Sequence, residues 1–239
     1  MSSIEQKRDG IEENYRSLVD SVQEAAVQAD RDPENVKLIG VTKGFDAEIF
    51  RIASSLGLNA VGENRVKTAV RKKDAIPERL RESLQWHMIG HVQSNKVKHL
   101  LDEFDLIHSV DRQSLVNELD KRLTRQDLEQ DVLVQVNTSG EDSKYGIQPD
   151  KAPGLLEDIL EISPLNVRGL MTMAPLSDDS TRLREVFSNC RTLRNDLEDR
   201  FGVRLPELSM GMTNDYREAV LEGSTMLRVG RGIFGERPG

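Results

Sequence analysis

Cysteine is almost missing from this chain. Cys190 stands alone among 239 residues, so no internal disulfide can form and a reducing, cytoplasmic setting is expected. It falls in a helical pattern and reads as a packed small hydrophobe, not a nucleophile. Long apolar runs are missing too: the chain is 37% hydrophobic, yet no stretch approaches the roughly 20 residues of a membrane span. The segment Met1-Ser2-Ser3-Ile4-Glu5-Gln6-Lys7 lacks the apolar centre of a signal peptide. Positive charge is in deficit, 33 Lys and Arg against 41 Asp and Glu for a net charge of −8. That balance argues against a non-specific nucleic-acid binder but is compatible with a small basic pocket for a phosphate. No His-Glu-x-x-His and no paired-cysteine spacing occurs, so no metal site is indicated. His87 and His91 are four apart, but one reads as strand and the other as the start of a loop. His108 reads as a half-buried strand residue.

What the chain does have is alternation. Val36-Lys37-Leu38-Ile39-Gly40-Val41-Thr42-Lys43-Gly44 contains an apolar, β-branched run from Leu38 to Val41 that reads as a buried parallel strand. Seven more strands follow at about 59–64, 85–90, 106–110, 131–137, 167–173, 207–211 and 226–230. Helices are expected between them at about 47–56, 65–73, 93–101, 112–128, 151–161, 180–201 and 215–221. Ahead of them all, Ile4, Ile11, Tyr15, Leu18, Val22 and Ala25 recur at helical spacing over residues 3 to about 29, with Ser2-x-x-Glu5 as a capping box. Eight strand–helix alternations with no proline-rich linker predict one domain over 1–239. It is an α/β fold, a single (β/α)8 TIM barrel over 36–235 with an extra N-terminal helix in 1–30. A doubly wound open sheet is the alternative, but no Gly-x-Gly-x-x-Gly follows the first strand.

Barrels keep their chemistry at the carboxyl ends of the strands. On this reading that face gathers Lys43, Glu63, Asn64, His87, Asn137, Met173, Ser209 and Arg228 to Gly232. A lysine held at such a mouth can lose its proton and form a Schiff base with an aldehyde. The loops after strands seven and eight, Ser209-Met210-Gly211-Met212-Thr213 and Gly230-Arg231-Gly232-Ile233-Phe234, are where barrels often hold phosphate. Their glycines let backbone N–H groups approach it. The pairing suits pyridoxal 5′-phosphate (PLP) or a phosphorylated sugar in an aldolase, with Glu63 a possible acid. Arg228 then either sits by the ring nitrogen of PLP, weakening the cofactor as an electron sink, or pairs with an inward carboxylate such as Glu63.

The run Trp86-His87-Met88-Ile89-Gly90-His91-Val92-Gln93-Ser94-Asn95-Lys96 resembles the signature of the YggS/PROSC family of pyridoxal phosphate homeostasis proteins. Val41-Thr42-Lys43, Gly62-Glu63-Asn64, Asp142-Ser143-Lys144-Tyr145-Gly146-Ile147, Arg168-Gly169-Leu170-Met171, Leu208 to Asp215 and Arg228 to Gly235 fit as well. The resemblance runs from about residue 36 to 235. It implies an alanine racemase N-terminal-domain-like barrel with PLP held as a reversible internal aldimine on Lys43. It places Arg228 at the ring nitrogen, Asn64 along the ring, and Ser209, Gly230 and Arg231 around the phosphate, the last two mainly through backbone N–H, with Gly211 counted among the cofactor-binding residues. Gly44-Phe45-Asp46 departs from the family, in which many relatives carry a second lysine and a proline there. The Gln93-Ser94-Asn95-Lys96 segment is left either as a helix start or as a rim for a partner or for cofactor release.

The expected function is therefore a monomeric PLP carrier in vitamin B6 and amino-acid homeostasis, with PLP-dependent apoenzymes as recipients and no catalytic residues of its own. Racemisation needs a base on each face of the substrate. Of the three tyrosines, Tyr15, Tyr145 and Tyr216, none lies on a predicted strand end, and a second domain like the β domain that supplies the other base in alanine racemase is not expected. Tyr145, in the loop after strand five, is the tyrosine nearest to such a role.

Overall fold

The computed structural model describes residues 3–141, 144–162 and 164–236. The capping box at Ser2 and Glu5 lies outside the described residues and side chains, and so do Asp142 and Ser143. Eight parallel strands close into a barrel in sequence order: β1 (Lys37–Val41), β2 (Ala60–Glu63), β3 (Gln85–Met88), β4 (Leu106–Val110), β5 (Gln130–Gln135), β6 (Leu165–Met171), β7 (Glu207–Ser209) and β8 (Met226–Val229). Closure is made by β1 on β8, with Lys37 opposite Met226 and Ile39 opposite Arg228. The open-sheet alternative is thereby set aside.

The helices are α1 (Ser3–Gln28), α2 (Glu48–Ser55), α3 (Val66–Asp74), α4 (Glu78–Glu82), α5 (Gln113–Gln126), α6 (Ala152–Leu160), α7 (Ser180–Phe201), α8 (Tyr216–Leu221) and α9 (Arg231–Phe234). Short α4 begins directly after Pro77 and was not anticipated, although proline is a common first-turn residue. The helix expected at 93–101 is instead a 3₁₀ helix, Ser94–His99.

Two cores result from strand alternation. Inside the barrel, Ile39, Ala60, Leu106, Leu133, Met171 and Met226 form one cluster, with Met173 packed on it. Outside, the other strand face packs on the helices in one continuous core. Helix α1 contributes Ile11, Leu18, Val22 and Ala25 to that outer core, four of the positions picked out by its spacing. It docks on the last elements of the chain: Asn14 donates to the Ile233 carbonyl at 3.3 Å, and the Tyr216 hydroxyl lies 3.0 Å from Ser21 Oγ. Cys190 is free and fully buried, and burial pushes its thiol up to about 12.

Candidate functional site

At the carboxyl ends of the strands a cavity of about 330 Å³ is lined by Val41, Lys43, Asn64, Ile89, Met173, Arg228, Gly230, Arg231 and the loops after β5, β6 and β7. A larger cleft of about 810 Å³ opens at the opposite end, between α1 and the starts of β1 to β3. Its lysine, Lys37, donates to Gln85 Oε1 at 3.2 Å, and among the described residues no second cation lines it. Size alone would choose the cleft; the chemistry and the barrel's polarity choose the cavity.

Lys43 is half-buried and follows Thr42, which is fully buried. Thr42 is held from three sides. Its N–H donates to the Gly62 carbonyl at 3.2 Å, its hydroxyl donates to Glu63 Oε1 at 2.6 Å, and Lys72 Nζ donates to its carbonyl at 2.8 Å. Lys72 also pairs with Glu63 Oε1 at 2.5 Å. Glu63 therefore faces α3, not the cavity. It serves neither as an acid beside Lys43 nor as a partner for Arg228, and both expectations are corrected. Its neighbour Asn64 takes the inward position.

Arg228 is only 4% exposed. Burial lowers its pKa to about 10, and the charge of Asp215 works in the other direction. The guanidinium is still a cation at neutral pH. It donates to Ser209 Oγ at 2.6 Å and to the Thr172 carbonyl at 2.9 Å. Ser209 thus lies behind Arg228, inside the barrel wall, and not on the cavity lining. His87 and His108 continue inward from it: His108 Nδ1 stands 2.8 Å from Ser209 Oγ, and His87 Nδ1 stands 2.8 Å from His108 Nε2. His108 is fully buried, not half-buried as the sequence suggested. Alternation along β4 explains this, with Leu106 and His108 on the interior face and Ile107 on the outer one. The register shift between Ile107 and Val110 instead puts Val110 in the outer core, and the Ser109 hydroxyl donates to the Gly90 carbonyl at 2.7 Å.

The loops after β7 and β8 close against each other. Gly232 N–H donates to Thr213 Oγ1 at 3.2 Å, and a Cβ on Gly232 would stand 2.9 Å from Val229 Cγ1 and 3.2 Å from Thr213 Cγ2. Gly211 is a turn residue at φ +95°, and a Cβ there would stand 2.6 Å from the Ala219 Cβ. It shapes the loop without lining the cavity. Gly230 and Arg231 do line it, at the start of α9, whose Phe234 packs on Phe45 in the Lys43 loop with ring centroids 5.6 Å apart. The two ends of the expected phosphate and aldehyde sites are so joined.

Two charged lining residues were not singled out as site residues by the sequence. Lys144 reaches the cavity from the loop after β5. Asn137 organises that loop: it donates to the Glu141 carbonyl at 2.9 Å and accepts from the Ser139 hydroxyl at 2.8 Å. The motif containing Lys144 was visible, but a lysine's reach was not. Asp215 was read as a helix start and as the end of a family-like stretch, without a role in the site. It caps the turn by accepting from Met212 N–H at 2.5 Å, and burial raises its pKa. Residues Gln93 to Lys96 stand on the surface and do not line the cavity. The lining side chains thus bring four cations, Lys43, Lys144, Arg228 and Arg231, against one carboxylate, Asp215. In a chain of net charge −8 this is a local inversion suited to an anion.

A parallel eight-stranded barrel with a lysine after β1 and a cationic floor defines a class, and comparison with known proteins identifies it. The chain belongs to the alanine racemase N-terminal domain family, whose model matches residues 9–238. Within it, the chain falls among the pyridoxal phosphate homeostasis proteins. The protein of that name from Aquifex aeolicus is 39% identical over 225 residues, 94% of this chain and 97% of that one. A crystal structure of a protein from Bifidobacterium adolescentis superposes with a TM-score of 0.90 at 31% identity, covering 98% and 97% of the two chains. PipY of Synechococcus elongatus PCC7942, solved with PLP bound, gives 0.80 at 32% identity over 94% of this chain and all of that one. The family and barrel expected from the sequence are both borne out.

Proposed function

We propose that this chain binds PLP in the cavity at the carboxyl ends of its strands and serves vitamin B6 and amino-acid homeostasis as a carrier. The observation that carries this reading is the convergence of Lys43, Arg228 and the Gly230-Arg231 turn on one cationic cavity. The PLP-bound PipY relative supports it. The donor set fits the group: a primary amine for an aldehyde, fixed cations and an amide-bearing turn for a phosphate, and a buried guanidinium for a ring.

Bound PLP supplies an aldehyde carbon that an amine captures reversibly, and Lys43 is the amine we assign to it. Asn64 would lie along the ring, and Gly230 and Arg231 would hold the phosphate by backbone N–H and side-chain charge. Ser209 and Gly211 would act from behind, one by holding Arg228 and the other by shaping the loop. Arg228, a donor with no acceptor atom, would keep a proton off the ring nitrogen and so weaken the electron sink that amino-acid chemistry needs. No tyrosine lines the cavity among the described residues, and Tyr145 is 58% exposed and stacked on His91. These features favour a carrier over a racemase; PLP-dependent apoenzymes as the recipients and a monomer as the working form are parts of the proposal that the family resemblance supplies.

The test is the near-visible absorption of purified protein, wild type beside Lys43→Ala, followed by borohydride reduction and peptide mapping. A band present in wild type, lost in the variant and trapped on Lys43 is expected. No band after PLP addition would sink the reading, and sugar phosphates would be tried next. Amino-acid turnover at an enzyme's rate would replace the carrier with a catalyst.

A further inference from the structure

Two buried histidines have no task in this account. His87 and His108 are 2% and 0% exposed, lie inside the barrel, and touch no cavity wall. They connect to the cavity through Ser209 and Arg228, and the order of donors along that line can be deduced. Arg228 can only donate, so Ser209 Oγ is its acceptor at 2.6 Å. Two arrangements of the remaining protons are then open.

In the first, the Ser209 hydroxyl donates to His108 Nδ1, His108 Nε2–H donates to His87 Nδ1, and His87 carries its proton on Nε2. One buried atom, His87 Nε2, is then left over, and this atom has no hydrogen-bond partner among the described residues. In the second, His108 Nδ1–H donates to Ser209 and His87 Nδ1–H donates to His108. The Ser209 hydroxyl proton then has no acceptor, because its two contacts are both donors, and His87 Nε2 is again unmatched. The first arrangement leaves one group unsatisfied and the second leaves two, so the first prevails. Burial keeps both rings neutral: it lowers His87 to about 3 and His108 well below its ordinary value, with the nearby positive charges of Lys37 and Arg228 adding to the effect.

We propose that His108, with His87 behind it, is a positioning residue for Arg228. A one-way hydrogen-bond chain, Arg228 to Ser209 to His108 to His87, fixes the serine hydroxyl as acceptor and so fixes the guanidinium on the cavity floor. The placement of the unmatched atom supports this. A fold that retains an unpaired nitrogen at the far end, while leaving none at the end beside the cavity, is built around the near end. The ligand arm of this inference rests on the proposed PLP site; the proton order does not.

Nitrogen-15 spectra of the histidine side chains in wild-type protein without PLP test the order directly. Both rings are expected as neutral Nε2–H tautomers at neutral pH. An Nδ1–H tautomer at His108, or a charged ring, overturns the chain. For the positioning role, PLP titrations compare wild type, His108→Leu and His108→Asn. Leucine leaves the serine hydroxyl without its acceptor, and an affinity about tenfold weaker with a displaced absorption band is expected. Asparagine offers Oδ1 where Nδ1 stood and is expected to recover most of both. Wild-type affinity and band in His108→Leu, or equal loss in the two variants, overturns the role. If wild type itself binds no PLP, the proposed function fails, while the nitrogen spectra still decide the chain.

Discussion

Glu63 and Lys72 form a buried ion pair on the outer face of β2, 2.5 Å apart with side chains only 1% and 5% exposed. The pair does more than hold α3 to the barrel. Lys72 also donates to the Thr42 carbonyl, and Thr42 donates to Glu63, so the residue preceding Lys43 is fixed by a charge network outside the cavity.

Breaking that pair from one side leaves an uncompensated charge. Lys72→Met is expected to destabilise the protein by about 3–5 kcal/mol in urea denaturation, and pairing it with Glu63→Leu to recover much of the loss. The single variant should also bind PLP more weakly, because Thr42 loses an anchor. A loss under about 1 kcal/mol would mean that the pair behaves as a solvated one.

Arg228→Lys keeps the charge but gives up the forked geometry. One of the two acceptors, Ser209 Oγ or the Thr172 carbonyl, is then left short of a donor inside the barrel. A loss of about 1–3 kcal/mol in stability is expected, with weaker PLP binding by fluorescence titration. Unchanged binding would remove Arg228 from the ligand's surroundings.

Gly211→Ala places a Cβ at φ +95° and 2.6 Å from the Ala219 Cβ. The loop after β7 must then shift. We expect about 1–3 kcal/mol of destabilisation and reduced PLP affinity, with the proposed covalent link to Lys43 still formed. Thermal melts and the absorption band read the two effects separately.

Stability should fall with mild acid before the carboxylates titrate. His87 is neutral in the folded protein down to about 3, whereas an unfolded histidine takes up a proton near 6.5. The unfolded state therefore binds more protons below that value. The contribution is complete above about pH 6.5 and declines as pH falls towards 3, reaching about 2 kcal/mol for His87 alone by pH 5. His108 adds in the same direction, and Asp215, raised by burial, opposes both. Urea midpoints at pH 7 and pH 5 measure this, and His87→Asn should lose part of the slope. A wild-type midpoint that does not fall would mean that these rings are charged when folded.

The fold was legible because parallel strands buried on both faces announce themselves as apolar runs, as Leu38 to Val41 does. The strand-ending residues Lys43, Asn64, Arg228, Gly230 and Arg231 followed from knowing which end of a barrel holds chemistry, and all five line the cavity. Facing direction was harder. Glu63 and Asn64 are adjacent, so only one can point inward, and alternation from Asn64 would have turned Glu63 outward to Lys72. The same counting from Leu106 turns His108 inward, where it is fully buried, and the shift in β4 breaks the period only by Val110. Lys144 belongs to a loop whose path depends on Asn137, a contact that spacing does not encode. Ser209 was found as a polar strand end, but its contacts with Arg228 and His108 cross from β7 to β8 and β4, and only the closed barrel brings them together.

Barrel closure also sets an order of events. Lys43 follows the first strand and Arg231 the last, and β1 finds its second neighbour only in β8. During synthesis Lys43 emerges well before the turn that completes its cavity, so a nascent chain carries this lysine with no enclosure around it. The cavity is then complete only once β8 has closed the barrel, and α1, docked on α8 and α9 through Ser21 and Asn14, waits longest of all for its partners.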